Sequence, residues 1–191
     1  MARIGLLKPR VAKYSASGTT VTYSSGQILA KAISHSLTLN NADPVNLYAD
    51  DGVAESVSGF SSGTLTLGVD ELTMADAGLI LGITPETVST PSGTAITFDE
   101  DVLPPYLGYG IIVPKIRNNT TVYMAVLLTK IKFTVPGDSY KTKGETVEFT
   151  TPELTATVLR DDTAKHAWRK WAEFASEANA DTWLNAQLSI T

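Results

Sequence analysis

Asp99-Glu100-Asp101 is the densest acidic run of the chain. Carboxylates gathered this closely can supply oxygen ligands to Ca²⁺ or Mg²⁺, but such a site needs several of them converging from a defined loop. The spacing here fits no EF-hand pattern, and a run placed just before Pro104-Pro105 reads more simply as a solvated loop. Asp50, Asp51 and Glu55 form a second acidic group open to the same two readings, and for them a third is stronger: contact with a partner, with Ser56 beside them. The chain has two histidines, His35 and His166, far apart and without a histidine neighbour. A lone histidine in a strand is more often a satisfied core or interface residue than a ligand, and His166 is expected to open a helix and face solvent. There are no cysteines, which removes disulfides, thiolate nucleophiles and thiolate metal sites. Gly-x-Ser-x-Gly is absent, as are the P-loop and Rossmann glycine patterns. Leu107-Gly108-Tyr109-Gly110 has the look of a potassium-channel filter, yet no membrane helices flank it. Trp168, Trp171 and Trp183 could make a sugar platform, but their helical spacing favours packing into a core.

The elements that would carry these residues are mostly strands. From Ile33 to Leu39 apolar and polar residues alternate, the period of a half-buried strand; the run as a whole extends from Gln27. Val21 to Tyr23, Val45 to Tyr48, Thr64 to Val69, Ala95 to Phe98, Leu107 to Val113, Glu145 to Thr150 and Leu154 to Arg160 complete the set with Thr120 to Phe133. That last run is apolar on both faces in its first half, which predicts cover on two sides. Unbroken, it would reach roughly 46 Å, so either the sheet is elongated or the run hides a bulge. Three helices are predicted: Leu72 to Leu81, stopped near Gly82; Ala164 to Glu177, with Asp161 and Asp162 before it; and Asp181 to Leu188, capped by Asn179 or Asp181. The Ser/Gly/Thr-rich windows 15–26, 56–63 and 87–94 read as loops or arms. The expected fold is mainly β, a sandwich or barrel-like body with one or two flanking helices and extended loops and arms, all within a single domain, 1–191.

Composition narrows the function classes. The formal net charge is −5, with 18% charged residues, below the ~25% usual for globular domains. A mildly acidic chain is poorly suited to gripping nucleic acid, which needs clustered Lys and Arg. Low charge also suits a surface that meets copies of itself. No apolar run approaches the ~18 residues of a membrane span, and the N-terminus lacks the apolar core of a signal peptide. A protein made and kept in the cytosol is the default expectation.

Residues 46–72 carry the most specific signal. They read Asn46-Leu47-Tyr48-Ala49-Asp50-Asp51-Gly52-Val53-Ala54-Glu55-Ser56, a Ser/Gly tract, and Gly63-Thr64-Leu65-Thr66-Leu67-Gly68-Val69-Asp70-Glu71-Leu72. This resembles the centre of the major tail tube proteins of long-tailed, non-contractile (siphovirus-type) bacteriophages. Lys141-Thr142-Lys143-Gly144-Glu145 followed by Glu148-Phe149-Thr150-Thr151-Pro152 is similar to a second stretch of that family. Trp183-Leu184-Asn185 resembles its C-terminal helix, and Ile4-Gly5-Leu6 with Tyr14 and Gly26 its N-terminal arm. Residues 82–101 depart from the family pattern.

The resemblance implies a structural virion protein with no catalytic, cofactor or metal residues. It implies hexameric rings stacked into the tail tube, the conduit for DNA ejection. The partners would be the chain itself and the tape-measure, tail terminator and distal tail proteins. Double-stranded DNA would pass through without specific binding, and no membrane would be involved. The protein would be made in the host bacterial cytoplasm and end in the virion tail. On this reading residues 1–20 are an N-terminal arm, 40–62 a ring-stacking loop with Asp50, Asp51, Glu55 and Ser56 as contacts, and 164–191 a C-terminal helical segment. The lumen is expected to be net acidic, so that phosphates are repelled rather than held. The rival readings are another tail-fold component (a terminator or a phage-derived bacteriocin tube), a β-sandwich carbohydrate-binding module resting on the tryptophans, and a glycosidase-like enzyme. The last would need two carboxylates about 5–10 Å apart in a cleft.

Overall fold

The structure, a computed structural model, describes residues 2–49, 52–137, 142 and 151–190. Among them thirteen strands and two helices are formed: β1 (Ala2–Arg3), β2 (Leu7–Ser17), β3 (Thr20–Ile28), β4 (Ala32–Asn41), β5 (Val45–Ala49), β6 (Gly52–Val57), β7 (Phe60–Val69), α1 (Met74–Leu81), β8 (Glu86–Ser89), β9 (Ser92–Ala95), β10 (Tyr106–Arg117), β11 (Thr120–Phe133), β12 (Glu153–Leu159), β13 (Arg169–Phe174) and α2 (Glu177–Leu188). The mainly-β expectation with flanking helices holds.

Nine strands make one antiparallel sheet in the order β3-β2-β10-β11-β12-β7-β4, with β1 beside β10 and β13 beside β11. The central hairpin β10–β11 is longer than any neighbour, so each of its outer borders is shared by two strands. β10 takes β2 along Leu107–Ile112 and β1 at Lys115–Ile116. β11 takes β13 along Tyr123–Leu128 and β12 along Lys130–Phe133. Thr129 is the switch between them: its N–H and hydroxyl donate to Trp168 O and Ala167 O at 3.2 and 2.7 Å.

The same point holds the bulge that the length of β11 suggested. Leu107 and Tyr109, two residues apart, pair with Ile131 and Leu128, three apart. The extra residue in β11 reverses the in–out phase. Leu128 and Ile131, expected on opposite faces from strict alternation, therefore enter the same core.

That main core lies on one face of β10 and β11, built from Leu107, Tyr109, Ile111, Met124, Val126 and Leu128. Leu65 and Leu67 of β7, Ala156 and Val158 of β12, and Ile80 and Leu81 of α1 pack against it. The opposite face, Ile112, Ala125 and Leu127 with Ala12, is covered by Ala180, Leu184 and Leu188 of α2. The first half of β11 is thus covered on both sides, as its composition required. Gly108 and Gly110 let α2 come close: a Cβ on Gly108 would stand 2.5 Å from the Tyr23 ring and 2.7 Å from Leu188. This packing is the role of the Leu-Gly-Tyr-Gly stretch.

Five expectations need correction. Ala164 to Glu177 is not a helix. His166 sits at φ 48°, Thr163 and Asp161 close a turn (Thr163 N–H to Asp161 Oδ1, 3.2 Å), and residues 169–174 form β13. The 3–4 spacing of Trp168, Trp171, Ala172 and Ala175 imitates a helical stripe. The open border of β11 decides instead, since a pleated partner suits Trp and Phe better than an isolated helix. Of 164–191, only α2 is helical. Its cap is Ser176, whose hydroxyl accepts from Asn179 N–H at 3.3 Å, rather than Asn179 or Asp181. Residues 1–20 are largely sheet rather than a free arm, and Val11 and Ala12 are fully buried. Residues 27–39 are two strands broken around Leu29–Lys31, and 82–101 holds the small hairpin β8–β9 in place of a strand over Ala95 to Phe98. The expected strand Glu145 to Thr150 lies outside the described residues, as does most of the Lys141 to Thr150 motif. Helix α1 forms as expected, capped by Thr73 and ended by left-handed Gly82 at φ 75°.

Candidate functional site

Of the acidic residues of the 40–62 segment, Asp43 and Glu55 are exposed. Asp50 and Asp51 lie outside the described residues. Glu55 and Ser56 are exposed on β6, which among the described residues pairs only with β5, in a two-stranded sheet separate from the main one. The window 56–63, expected to be a loop or arm, supplies the end of β6 and the start of β7. In the hairpin's register Leu47 faces Glu55 across the strands and Val45 lies two residues from Leu47. One face of the hairpin is therefore apolar and acidic, and Val45 and Leu47 are 76% and 60% exposed.

The main sheet ends at β3 and β4. Each leaves one border without a strand partner among the described residues. Both strands are mostly exposed, and Ile33 of β4 is 54% exposed.

A third surface forms where β13, β10 and β1 meet. The two-residue period of β13 puts Arg169, Trp171 and Glu173 on one face, opposite Leu128, Val126 and Met124. Arg3 pairs with Lys115. Glu173 is shared by Lys115 (3.0 Å) and Arg117 (2.8 Å), and hydrogen bonds first from Lys115, then from Arg117, hold its carboxyl below the usual range. Among the described residues no carboxylate lies within ion-pair distance of Arg3 or Arg169. The Arg169 guanidinium stands 4.3 Å from the Trp171 ring centre and 5.4 Å from that of Trp168. Burial, then the charge of Arg3, lowers its pKa. Trp168 is stacked on Phe60 at 4.3 Å, and Trp183 packs near Phe174. Trp171 is 61% exposed. The expectation that all three tryptophans pack into a core fails for Trp171 alone.

Among the described residues, two buried side-chain polar atoms have no hydrogen-bond partner: His35 Nε2 and the Tyr109 hydroxyl. The two rings stack at 5.9 Å. Burial lowers the His35 pKa, with the charges of Arg3 and Arg169 adding to the effect, and burial raises that of Tyr109. His35 is thus half-buried, its ring stacked on the core residue Tyr109 and its Nε2 without a hydrogen-bond partner among the described residues. His166 is exposed, as expected, though in a turn.

The binding of α2 rests on ionic contacts that single-residue reading missed. Lys8 and Arg10 lie on the α2-facing side of β2. Lys8 Nζ reaches Glu177 at 2.9 Å and Asp181 at 3.5 Å. Arg10, fully buried, donates to the Asp181 and Asn185 side chains. The only signal in the sequence is cations two apart in one element and acids four apart in another, which means nothing until the two are known to touch. A second knot joins Tyr14, Lys130 and Asp162 at 2.6 and 2.7 Å. There burial, then the Asp162 carboxylate, pushes the Tyr14 hydroxyl up to about 12.

Asp99 accepts from the Asp101 N–H at 3.1 Å, making a local turn within an exposed acidic loop. Among the described residues no group of three or more His, Asp or Glu is placed to hold a metal ion, and no helix is long and apolar enough to cross a membrane. Two open grooves, about 400 and 310 Å³, lie beside α2 and α1. In the first, Asp161 is engaged by Thr163 and Lys170 by Gln187. No protein-family model and no curated protein matches the chain.

Proposed function

We propose that this chain is a structural protein that polymerises as stacked hexameric rings into the tube of a siphovirus-type phage tail, through which DNA is ejected. The observation that carries the reading is the pair of borders at β3 and β4, at opposite ends of one sheet, that have no strand partner among the described residues. Free borders invite pairing with other chains. A contact between two different borders is head-to-tail, and it generates a ring when its rotation closes. The separate β5–β6 hairpin, with exposed apolar and acidic residues, supplies a further contact for stacking along the axis. The resemblance of residues 46–72 to tail tube proteins supports the same conclusion. On this reading the chain performs no chemistry and resides in the virion tail, and its partners are its own copies and the other tail proteins. Negative-stain electron microscopy of the concentrated purified protein tests it. Hollow rings or tubes with six-fold end views are expected. A species that remains monomeric at high concentration, even with preformed tail-tip complexes as initiator, would refute it.

A further inference from the structure

We propose that the Arg3–Arg169–Trp171 surface is the receptor for the β5–β6 hairpin of a second copy of this chain. The inference rests on the tube reading for its occupant and goes beyond it in naming the receiving residues. Among the described residues neither Arg3 nor Arg169 has a carboxylate partner, and Arg169 stands over an indole that is more exposed than buried, on a chain whose net charge is negative. Such a surface fits a ligand that is apolar at its centre and acidic at its margin. The hairpin has that chemistry. Residues 45–57 contain Asp50, Asp51 and Glu55 and no Lys, Arg or His, and Val45 and Leu47 share a face with Glu55.

Each surface also lacks something that the other supplies. A two-stranded hairpin alone is marginal in water and needs a surface to lie on. Arg169 is already partly desolvated beside Arg3, and a carboxylate there would offset both the desolvation and the repulsion. Trp and Arg are also the residues that most often anchor protein interfaces. The contact is charge-assisted and partly exposed, so it weakens as salt rises.

Sedimentation velocity on the full chain tests this, with wild type compared with Arg169→Glu, Arg169→Gln, Trp171→Ala and Glu55→Arg, and thermal melts as the control for folding. Each single variant should need on the order of tenfold more protein to associate. Arg169→Glu and Glu55→Arg are each self-repelling at this contact, but every contact in an alternating mixture is complementary, so an equal mixture should regain wild-type association. Folded variants that associate like wild type, or a mixture that stays defective, would overturn the inference. Normal tubes from Arg169→Glu would overturn it and leave the tube reading standing. Association restored by the charge swap, without growth into tubes, would support it and remove that reading instead. Tryptophan quenching by short single-stranded DNA or by chitohexaose, abolished in Trp171→Ala, would assign the surface to nucleic acid or glycan and overturn it.

Discussion

Arg10→Ala should be the most damaging single change on the α2 side of the molecule. The Arg10 guanidinium is out of solvent and donates to the Asp181 carboxylate, the Asp181 carbonyl (3.4 Å), the Asn185 amide oxygen and the Lys8 carbonyl (3.3 Å). Removing one member of a buried pair costs about 3–5 kcal/mol, because the other charge is left uncompensated. Here Asp181 keeps 25% of its side-chain exposure and a second cation, Lys8, at 3.5 Å. The low end applies, about 3 kcal/mol. For a chain of this length that is a fall in melting temperature of roughly 6–12 °C. Urea unfolding and calorimetry at pH 7 read it directly. Replacing both partners, as Arg10→Leu with Asp181→Leu, should recover most of the loss, since no charge is stranded. A loss below about 1 kcal/mol in Arg10→Ala, or a double variant worse than either single one, would refute the reasoning.

The same pair predicts a pH signature. Burial alone would raise the Asp181 pKa, but the hydrogen bond and charge of Arg10, with Lys8 behind them, reverse this and hold it below the ordinary value. A carboxyl depressed in the folded state contributes stability that is fully present above its unfolded pKa of about 3.9 and is lost as pH falls through the lower folded value. The gap between wild type and Arg10→Ala should therefore be constant from pH 7 to about 5 and shrink below about 4. Asp162 and Glu173 are also depressed, but they titrate alike in both proteins and cancel in the difference. A gap that widens in acid would contradict the assignment.

Tyr109→Phe should leave stability unchanged or raise it by up to about 1 kcal/mol, because it removes a buried hydroxyl that has no partner; a loss larger than that in urea unfolding would mean the hydroxyl is satisfied. Gly108→Ala should cost about 1–3 kcal/mol by driving a methyl into Tyr23 and Leu188, with faster amide exchange confined to α2 and β3. Replacing residues 46–56 by a short glycine link should give a folded chain that makes no tubes by electron microscopy. This removal is preferable to one reaching Ser61, because Phe60 is stacked on Trp168 and belongs to the body rather than to the hairpin.

How much of this was legible in the sequence follows from where each feature's information sits. The two-sided cover of β11 was legible because a strand records its own surroundings in both alternate sets of side chains. Helix α1 was legible because Thr73 and Gly82 mark its ends locally. Strand β13 was not, because its pattern satisfies both periods over six residues and what decides, the open border of β11, lies 41 to 51 residues away in sequence. The phase reversal at Thr129 was foreseeable only as some bulge, since no residue type there announces it. The Lys8–Arg10 clasp is in the same position, because a buried arginine looks in sequence like any surface one. Of the four residues singled out for partner contact, Glu55 and Ser56 are exposed on a hairpin separate from the main sheet, while Asp50 and Asp51 lie outside the described residues.

The features that defeat sequence reading also bear on function. A central hairpin longer than its neighbours forces each of its borders to recruit two strands, and the recruits β1 and β13 come from the two ends of the chain. Arg3 and Arg169–Trp171 are thereby brought to one surface by topology, although they are far apart in sequence. The clasp that binds α2 joins the same two ends, through Lys8 and Arg10 on one side and Glu177 and Asp181 on the other. Loosening the clasp should therefore disturb how firmly the Arg169–Trp171 strand is held. If the proposed receptor is correct, Arg10→Ala should weaken association between copies at temperatures where the chain is still folded. Trp171→Ala should weaken association without lowering the melting temperature. Equal behaviour of the two variants in both measurements would break the link between the clasp and the receptor.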